Sequence, residues 1–159
     1  MAKCNKCGAE LAANEKFCGS CGAAIDFTDK AAQTFEQINN TADTTAEFTP
    51  EDINQNKAMA ILAYIIFLIP LFAAKESKFA RFHTNQGLVL VIFSVAYAIV
   101  EAILSAIFYA ISWSLGALMG TILGLVFILV TVLAIIGIVN AAQGKAKELP
   151  LIGKIQILK

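Results

Sequence analysis

Charge is the first thing this sequence has little of. Only 15% of its 159 residues are Asp, Glu, Lys or Arg, and Leu88 to Val139 holds a single charged residue, Glu101. With 58% hydrophobic residues and a mean hydropathy of +0.70, the chain lies far from the balance of a soluble globular domain, and lipid is the expected main solvent. Other absences narrow the function. No nucleophile pairs with a base, no glycine-rich loop cradles phosphate and no metal set leaves a position open, so an enzyme is not expected. Near the N-terminus Lys3, Lys6 and Lys16 are offset by Glu10 and Glu15. Without a basic patch, no nucleic-acid partner is expected. Met1 to Ala24 also lacks the apolar core of a secretory signal, so the first apolar segment is expected to direct insertion itself.

What is present begins with cysteine. All four lie within eighteen residues, as Cys4-Asn-Lys-Cys7 and Cys18-Gly-Ser-Cys21. Two-residue spacing lets both sulfurs of a pair face one cation, and four thiolates at about 2.3 Å complete a tetrahedral Zn²⁺ shell with no room for water. One structural zinc is the expected cofactor. The pattern Cys4-x-x-Cys7-Gly8-Ala9-x-Leu11 recurs as Cys18-x-x-Cys21-Gly22-Ala23-x-Ile25, as two knuckles meeting at one metal would require. Leu11, Phe17 and Ile25 form too small a core to fold alone, so the metal must supply most of the stability. Two disulfides or a redox dithiol are the alternatives, but doubled Cys-x-x-Cys pairs read as metal sites. Residues 1–25 are read as a zinc ribbon, and about residues 2–25 resemble the short zinc-ribbon modules at the N-termini of many bacterial and archaeal proteins.

Residues 26–49 read as a flexible acidic linker, because scattered Phe27, Phe35 and Phe48 make no sustained apolar face. Between Asp26 and Asn56 there are seven acids against Lys30 alone. A transient helix from Ala31 to Ile38 is allowed, and a docking peptide for a basic partner is the functional alternative. Thr49-Pro50-Glu51-Asp52 then predicts a capped helix start, with proline in the first turn and acids at the positive helix end.

The membrane domain spans 50–159, with apolar helices at about 58–74, 84–110 and 115–142. Residues 58–74 reach roughly 25 Å, near the lower limit for a hydrocarbon core of about 30 Å, and Pro70 should kink or stop the helix. The segment is therefore a short kinked span or a re-entrant turn. A basic loop with Lys75, Lys78, Arg81 and His83 follows; His83 reads as a loop or interface residue. Tyr109 and Trp113 belong at the water interface around the turn Ser112-Trp113-Ser114. Ser94, Tyr97, Glu101 and Ser105 form one polar stripe that should face protein. Gly116, Gly120 and Gly124 allow close helix packing or a homo-oligomer. No lysine or arginine in either long helix can pair with Glu101, which is expected to hydrogen-bond to Tyr97, Ser105, Thr121 or Thr131. The basic tail 143–159 should lie along the membrane surface.

Three pieces carry a further likeness: Met59-Ala-Ile-Leu-Ala-Tyr-Ile-Ile with Ile69-Pro-Leu, the loop Lys78-Phe-Ala-Arg81-Phe82-His83-Thr-Asn-Gln86, and the tail Ala142-Gln-Gly-Lys-Ala-Lys-Glu-Leu-Pro-Leu-Ile-Gly153. Residues 58–159 resemble the Tic-twenty-like family of small membrane proteins, which includes a chloroplast protein-import component. The expected fold is an all-α membrane protein: a helical hairpin plus a short kinked or re-entrant helix, with a small N-terminal zinc ribbon. The expected function is a membrane-anchored interaction or scaffold protein that uses the ribbon to recruit an unknown protein partner. A transport or translocation component with Glu101 in a polar path is the alternative. The location expected is a prokaryotic cell membrane, multi-pass, with the basic first loop and tail cytoplasmic. The ribbon is expected to be cytoplasmic too, because its four cysteines are free thiols and the short first apolar segment is weak as a full span.

Overall fold

The computed structural model describes residues 2–4, 6–11, 17–24 and 27–158. The chain forms two compact units, Met1–Asn40 and Thr41–Lys159.

In the first unit β1 (Ala2–Lys3) pairs antiparallel with β2 (Glu10–Leu11), and a single bridge joins Phe17 to Ala24. Helix α1 covers Phe27–Ile38. Half of the stretch read as a flexible linker is thus helical, and the helix starts four residues before Ala31.

The second unit opens with Thr41 to Phe48, also assigned to the linker, and this segment is pinned. Thr44 N–H donates to the Ala146 carbonyl (2.9 Å), Glu148 N–H donates to Ala42 (3.0 Å), and the Thr41 and Thr44 hydroxyls donate to the Glu148 and Ala146 carbonyls. The missing apolar face is replaced by threonine hydroxyls and backbone pairing to a segment a hundred residues downstream, which composition does not reveal.

Helix α2 is Pro50–Leu62, and the Thr49 hydroxyl accepts from Asp52 N–H at 3.2 Å as its cap. The apolar run continues, but the helix does not. At Ala63–Phe67 the chain turns through short-range bonds such as Tyr64 N–H to Ile61 and Ile65 N–H to Leu62, and α3 resumes at Leu68–Ala73. Pro70 was expected to make the break. Instead it sits in the first turn of α3, where its missing N–H has no helical partner to lose. The break comes earlier because the end of α2 meets α4 at Gly87, where an added Cβ would lie 2.0 Å from the Ala63 carbonyl oxygen.

Helix α4 runs from Lys78 to Ile111 and α5 from Trp113 to Gln143. At 34 and 31 residues they reach about 51 and 46 Å, and both are long and apolar enough to cross a bilayer. Helix α4 begins six residues before the expected Thr84, because two acceptors cap it. Ser77 Oγ takes Ala80 N–H and Asp52 Oδ2 takes Phe79 N–H, each at 3.0 Å. Only extended Ser112 separates the two helices. Gly144, at φ 72°, ends α5 in the left-handed conformation that glycine adopts without steric cost. A core of Ala60, Phe79, Ala141 and Ala146, ringed by Phe48, Ile53, Ile61, Tyr64 and Phe82, fills the base of the hairpin.

The tail, expected along the membrane surface, is clamped onto α4. Asn85 donates to the Ile155 carbonyl (2.7 Å) and accepts from Ile157 and Leu158 N–H (2.7 and 2.9 Å). Gln86 donates to the Lys147 carbonyl (3.2 Å) and accepts from Leu149 N–H (2.9 Å). Leu151, Ile155 and Ile157 stay exposed along it.

Candidate metal centre and intramembrane polar groups

Each cysteine pair sits on the same backbone turn. Cys4 N–H donates to Ala9 and Gly8 N–H to Cys4; Cys18 N–H donates to Ala23 and Gly22 N–H to Cys18, all at 2.8 Å. Gly8 (φ 74°) and Gly22 (φ 65°) supply the positive dihedral that closes each turn. The repeat in the sequence is therefore a repeat of structure. The turns bring the four sulfurs within 4.8 Å of one another, with Cys4 to Cys21 at 3.7 Å and Cys7 to Cys18 at 3.6 Å. Sulfurs at about 2.3 Å around a tetrahedral ion would be about 3.8 Å apart, so the site fits zinc. A disulfide would need about 2.05 Å, and all four cysteines are free.

The electrostatics ask for a cation as well. Backbone amides of Lys6 and Cys7 pull the Cys4 thiol down to about 7. At Cys7 the Ala9 amide acts the same way, but the sulfurs of Cys21, Cys18 and Cys4 outweigh it and push the thiol up to about 12. Four neighbouring thiolates cannot all hold charge unaided. A dication resolves the conflict, and with four protein ligands it has no position left for substrate, so the site is one structural Zn²⁺.

Within the hairpin, the polar stripe closes on itself. Tyr97 donates to the Leu123 carbonyl of α5 at 2.7 Å, Ser94 to Leu90 at 2.7 Å, and buried Ser105 to Glu101 Oε1 at 3.0 Å. Of the four partners expected for Glu101, only Ser105 reaches it. Exposed Thr121 and Thr131 donate to their own helix at Ala117 and Phe127. The three glycines also part company. Gly116 lies against the Tyr109 ring, where a Cβ would come within 2.3 Å; a Cβ at Gly120 would meet Ser105 Oγ at an ordinary 3.8 Å; Gly124 faces open space.

The residues Arg81 to Gln86 hold the largest departure from expectation. His83 is not a loop residue: it is fully buried on α4, among the edges of Phe79, Phe82 and Tyr64, with ring centroids 4.8, 5.2 and 5.8 Å away. Its Nδ1 lies 2.9 Å from Tyr64 Oη, and its Nε2 has no partner among the described residues. His83, Thr84, Asn85 and Gln86 are all buried. Four consecutive helical residues at about 100° each point all round the axis, so α4 is enclosed by protein on every side at this level. That run of polar side chains at the mouth of an apolar helix was the available signal. Asn85 and fully buried Asn140 were not singled out in the sequence, nor was the second role of Asp52 as a cap of α4.

Comparison with known proteins fits both units and corrects one expectation. Residues 3–25 match a zinc-ribbon domain family. No curated protein and no solved structure matches the chain. The resemblance of residues 58–159 to the Tic-twenty-like family does not hold, because residues 55–157 match the magnetosome magnetite crystal formation protein family. The three segments that carried that resemblance build the broken helix, the buried polar turn and the clamped tail, features of architecture that specify no job. With 55–157 covering well over half its length, the chain belongs to the MamF/MmsF family.

Proposed function

We propose that this chain is a membrane-anchored adaptor in magnetite crystal formation: the hairpin sits in the magnetosome membrane and the zinc ribbon recruits a soluble protein to it. The observation that carries this reading is the division of the chain into a compact ribbon-bearing unit, Met1–Asn40, and a separate membrane unit, Thr41–Lys159. A closed four-cysteine site does no chemistry on a substrate, so its use is to hold a small surface in shape. Lys75, Lys78, Arg81, Lys145, Lys147 and Lys154 all flank the open end of the hairpin, which favours that end on the cytoplasmic side. The ribbon is then cytoplasmic too, since no spanning helix lies between it and α4 among the described residues. The family supports the place of action; the ribbon supports the manner.

The test is the full-length Cys18→Ser/Cys21→Ser variant in a magnetite-forming cell that lacks the native copy. The variant should reach the membrane in normal amount, lose a crosslinked soluble partner and fail to restore crystal size and number. Normal crystals with the metal site destroyed would overturn the adaptor reading.

A further inference from the structure

A cavity of about 300 Å³ lies between the first turns of α4 and the clamped tail. Lys78 and Arg81 line it, three residues apart and so on one helix face, at the end of α4 where backbone amides give a positive field. Neither side chain has a hydrogen bond or ion pair among the described residues. Glu148 and Gln156 add polar groups from the tail, and Phe82 and Leu158 add apolar wall. Two cations against one carboxylate leave the cavity with one positive charge. Its size suits a small headgroup rather than a whole macromolecule.

The surroundings say where that headgroup comes from. Ile65, Ile66, Leu68, Ile69 and Phe72, in the turn before α3 and in α3 itself, expose their side chains, as do Leu151, Ile155 and Ile157 on the tail. Apolar exposure at the base of a transmembrane hairpin is stable where the base dips into the lipid interface, and there cationic pockets meet lipid phosphates. We propose that this cavity binds the phosphodiester headgroup of an anionic glycerophospholipid bearing free hydroxyls, with phosphatidylglycerol as the fitting chemistry. Lys78 and Arg81 hold the phosphate, Glu148 accepts from the headgroup hydroxyls, and Phe82 with Leu158 receives the start of an acyl chain. A single anionic lipid neutralises the site, whereas a zwitterionic one leaves its charge unmatched. The inference needs only the membrane unit and stands apart from the role of the ribbon.

The experiment uses the full chain in phosphatidylcholine nanodiscs doped with phosphatidylglycerol or phosphatidylethanolamine, followed by mass spectrometry of lipid retained on gentle extraction. Phosphatidylglycerol should be retained selectively, at one per chain. Lys78→Ala/Arg81→Ala should weaken retention about thirtyfold; both residues are exposed, so the fold should survive, as circular dichroism and zinc content would verify. Lys75→Ala/Lys154→Ala, outside the cavity lining, should leave retention unchanged. Equal retention of phosphatidylethanolamine, indifference to the Lys78/Arg81 pair, or equal loss in the Lys75/Lys154 pair would overturn the site. Displacement of the lipid by millimolar inorganic phosphate would assign the cavity to free phosphate and overturn the lipid reading.

Discussion

Between Phe79 and Leu90 helix α4 has nine buried residues, four of them polar; from Val91 to Ile111 it buries only Ser105. The two stretches face different solvents. The upper one turns Val91, Ile99, Ile103 and Ile107 outward, which lipid rewards and which needs no partner within the chain. The lower one is a protein interior, where Asn85, Gln86, His83 and Thr84 are tolerable only because other segments supply most of the acceptors and donors. Hydropathy therefore governs the outer hairpin, and tertiary hydrogen bonding governs its base. The ribbon obeys a third rule, in which an ion stands in for the core.

Removing metal gives the largest effect and should sharpen that contrast. Chelation, or Cys18→Ser/Cys21→Ser, should abolish the bound zinc and unfold residues 1–24 while the helical signal of α4 and α5 persists, since structural zinc supplies on the order of 10 kcal/mol to such a module. Metal analysis alongside circular dichroism in detergent would check it; collapse of the hairpin on chelation would break the separation of the two units.

The next test sets two glycines against each other. A Cβ at Gly87 would lie 2.0 Å from the backbone of Ala63, whereas one at Gly124 meets nothing within 4 Å. Gly87→Ala should cost about 3 kcal/mol in denaturant unfolding, because backbone must shift, and Gly124→Ala less than about 0.5 kcal/mol. Equal effects would mean that the base is no better packed than the lipid-facing half.

Gln86→Leu should cost about 1–3 kcal/mol by leaving the buried Leu149 N–H and Lys147 carbonyl without their side-chain partner. Protease cleavage of the tail should accelerate, and an unchanged cleavage rate would show that the clamp does not hold it.

Acid should loosen the join between residues 41–48 and the tail by a smaller amount. The hydroxyl and amide of Thr45, followed by burial acting the other way and by Lys147 and Lys145, leave the Asp43 carboxyl below its usual range. A depressed folded value means that Asp43 stabilises above its unfolded pKa of about 3.9 and that this contribution fades as pH falls through the folded value. Asp43→Asn should remove that pH dependence with a change below about 1 kcal/mol, since the group is largely exposed.

The smallest effect belongs to Glu101→Gln. The amide keeps an oxygen to accept from Ser105, so stability should move by less than about 0.5 kcal/mol. A large loss would mean that Glu101 contacts something beyond the single chain.

Cys4, Cys7, Cys18 and Cys21 were legible as a metal site because both knuckles are local, with every turn bond spanning five residues or fewer. The two spans were legible because lipid reads composition directly. By contrast, Asn85 meets its partners 70 to 73 residues away and Thr44 meets Ala146 across 102. No periodicity encodes such distances.

What the sequence determined by itself is the chemistry of its solvents: thiolates spaced for one zinc, two helices apolar enough for a bilayer, and cations gathered at the open end of the hairpin. Tertiary structure alone decided that the apolar run after Leu62 turns back, that His83 lies inside, and that the tail locks onto α4. Those outcomes depend on which buried donor finds which acceptor. That is a property of chain packing, because an unpaired polar group in an interior costs more than the local preference of any residue can repay.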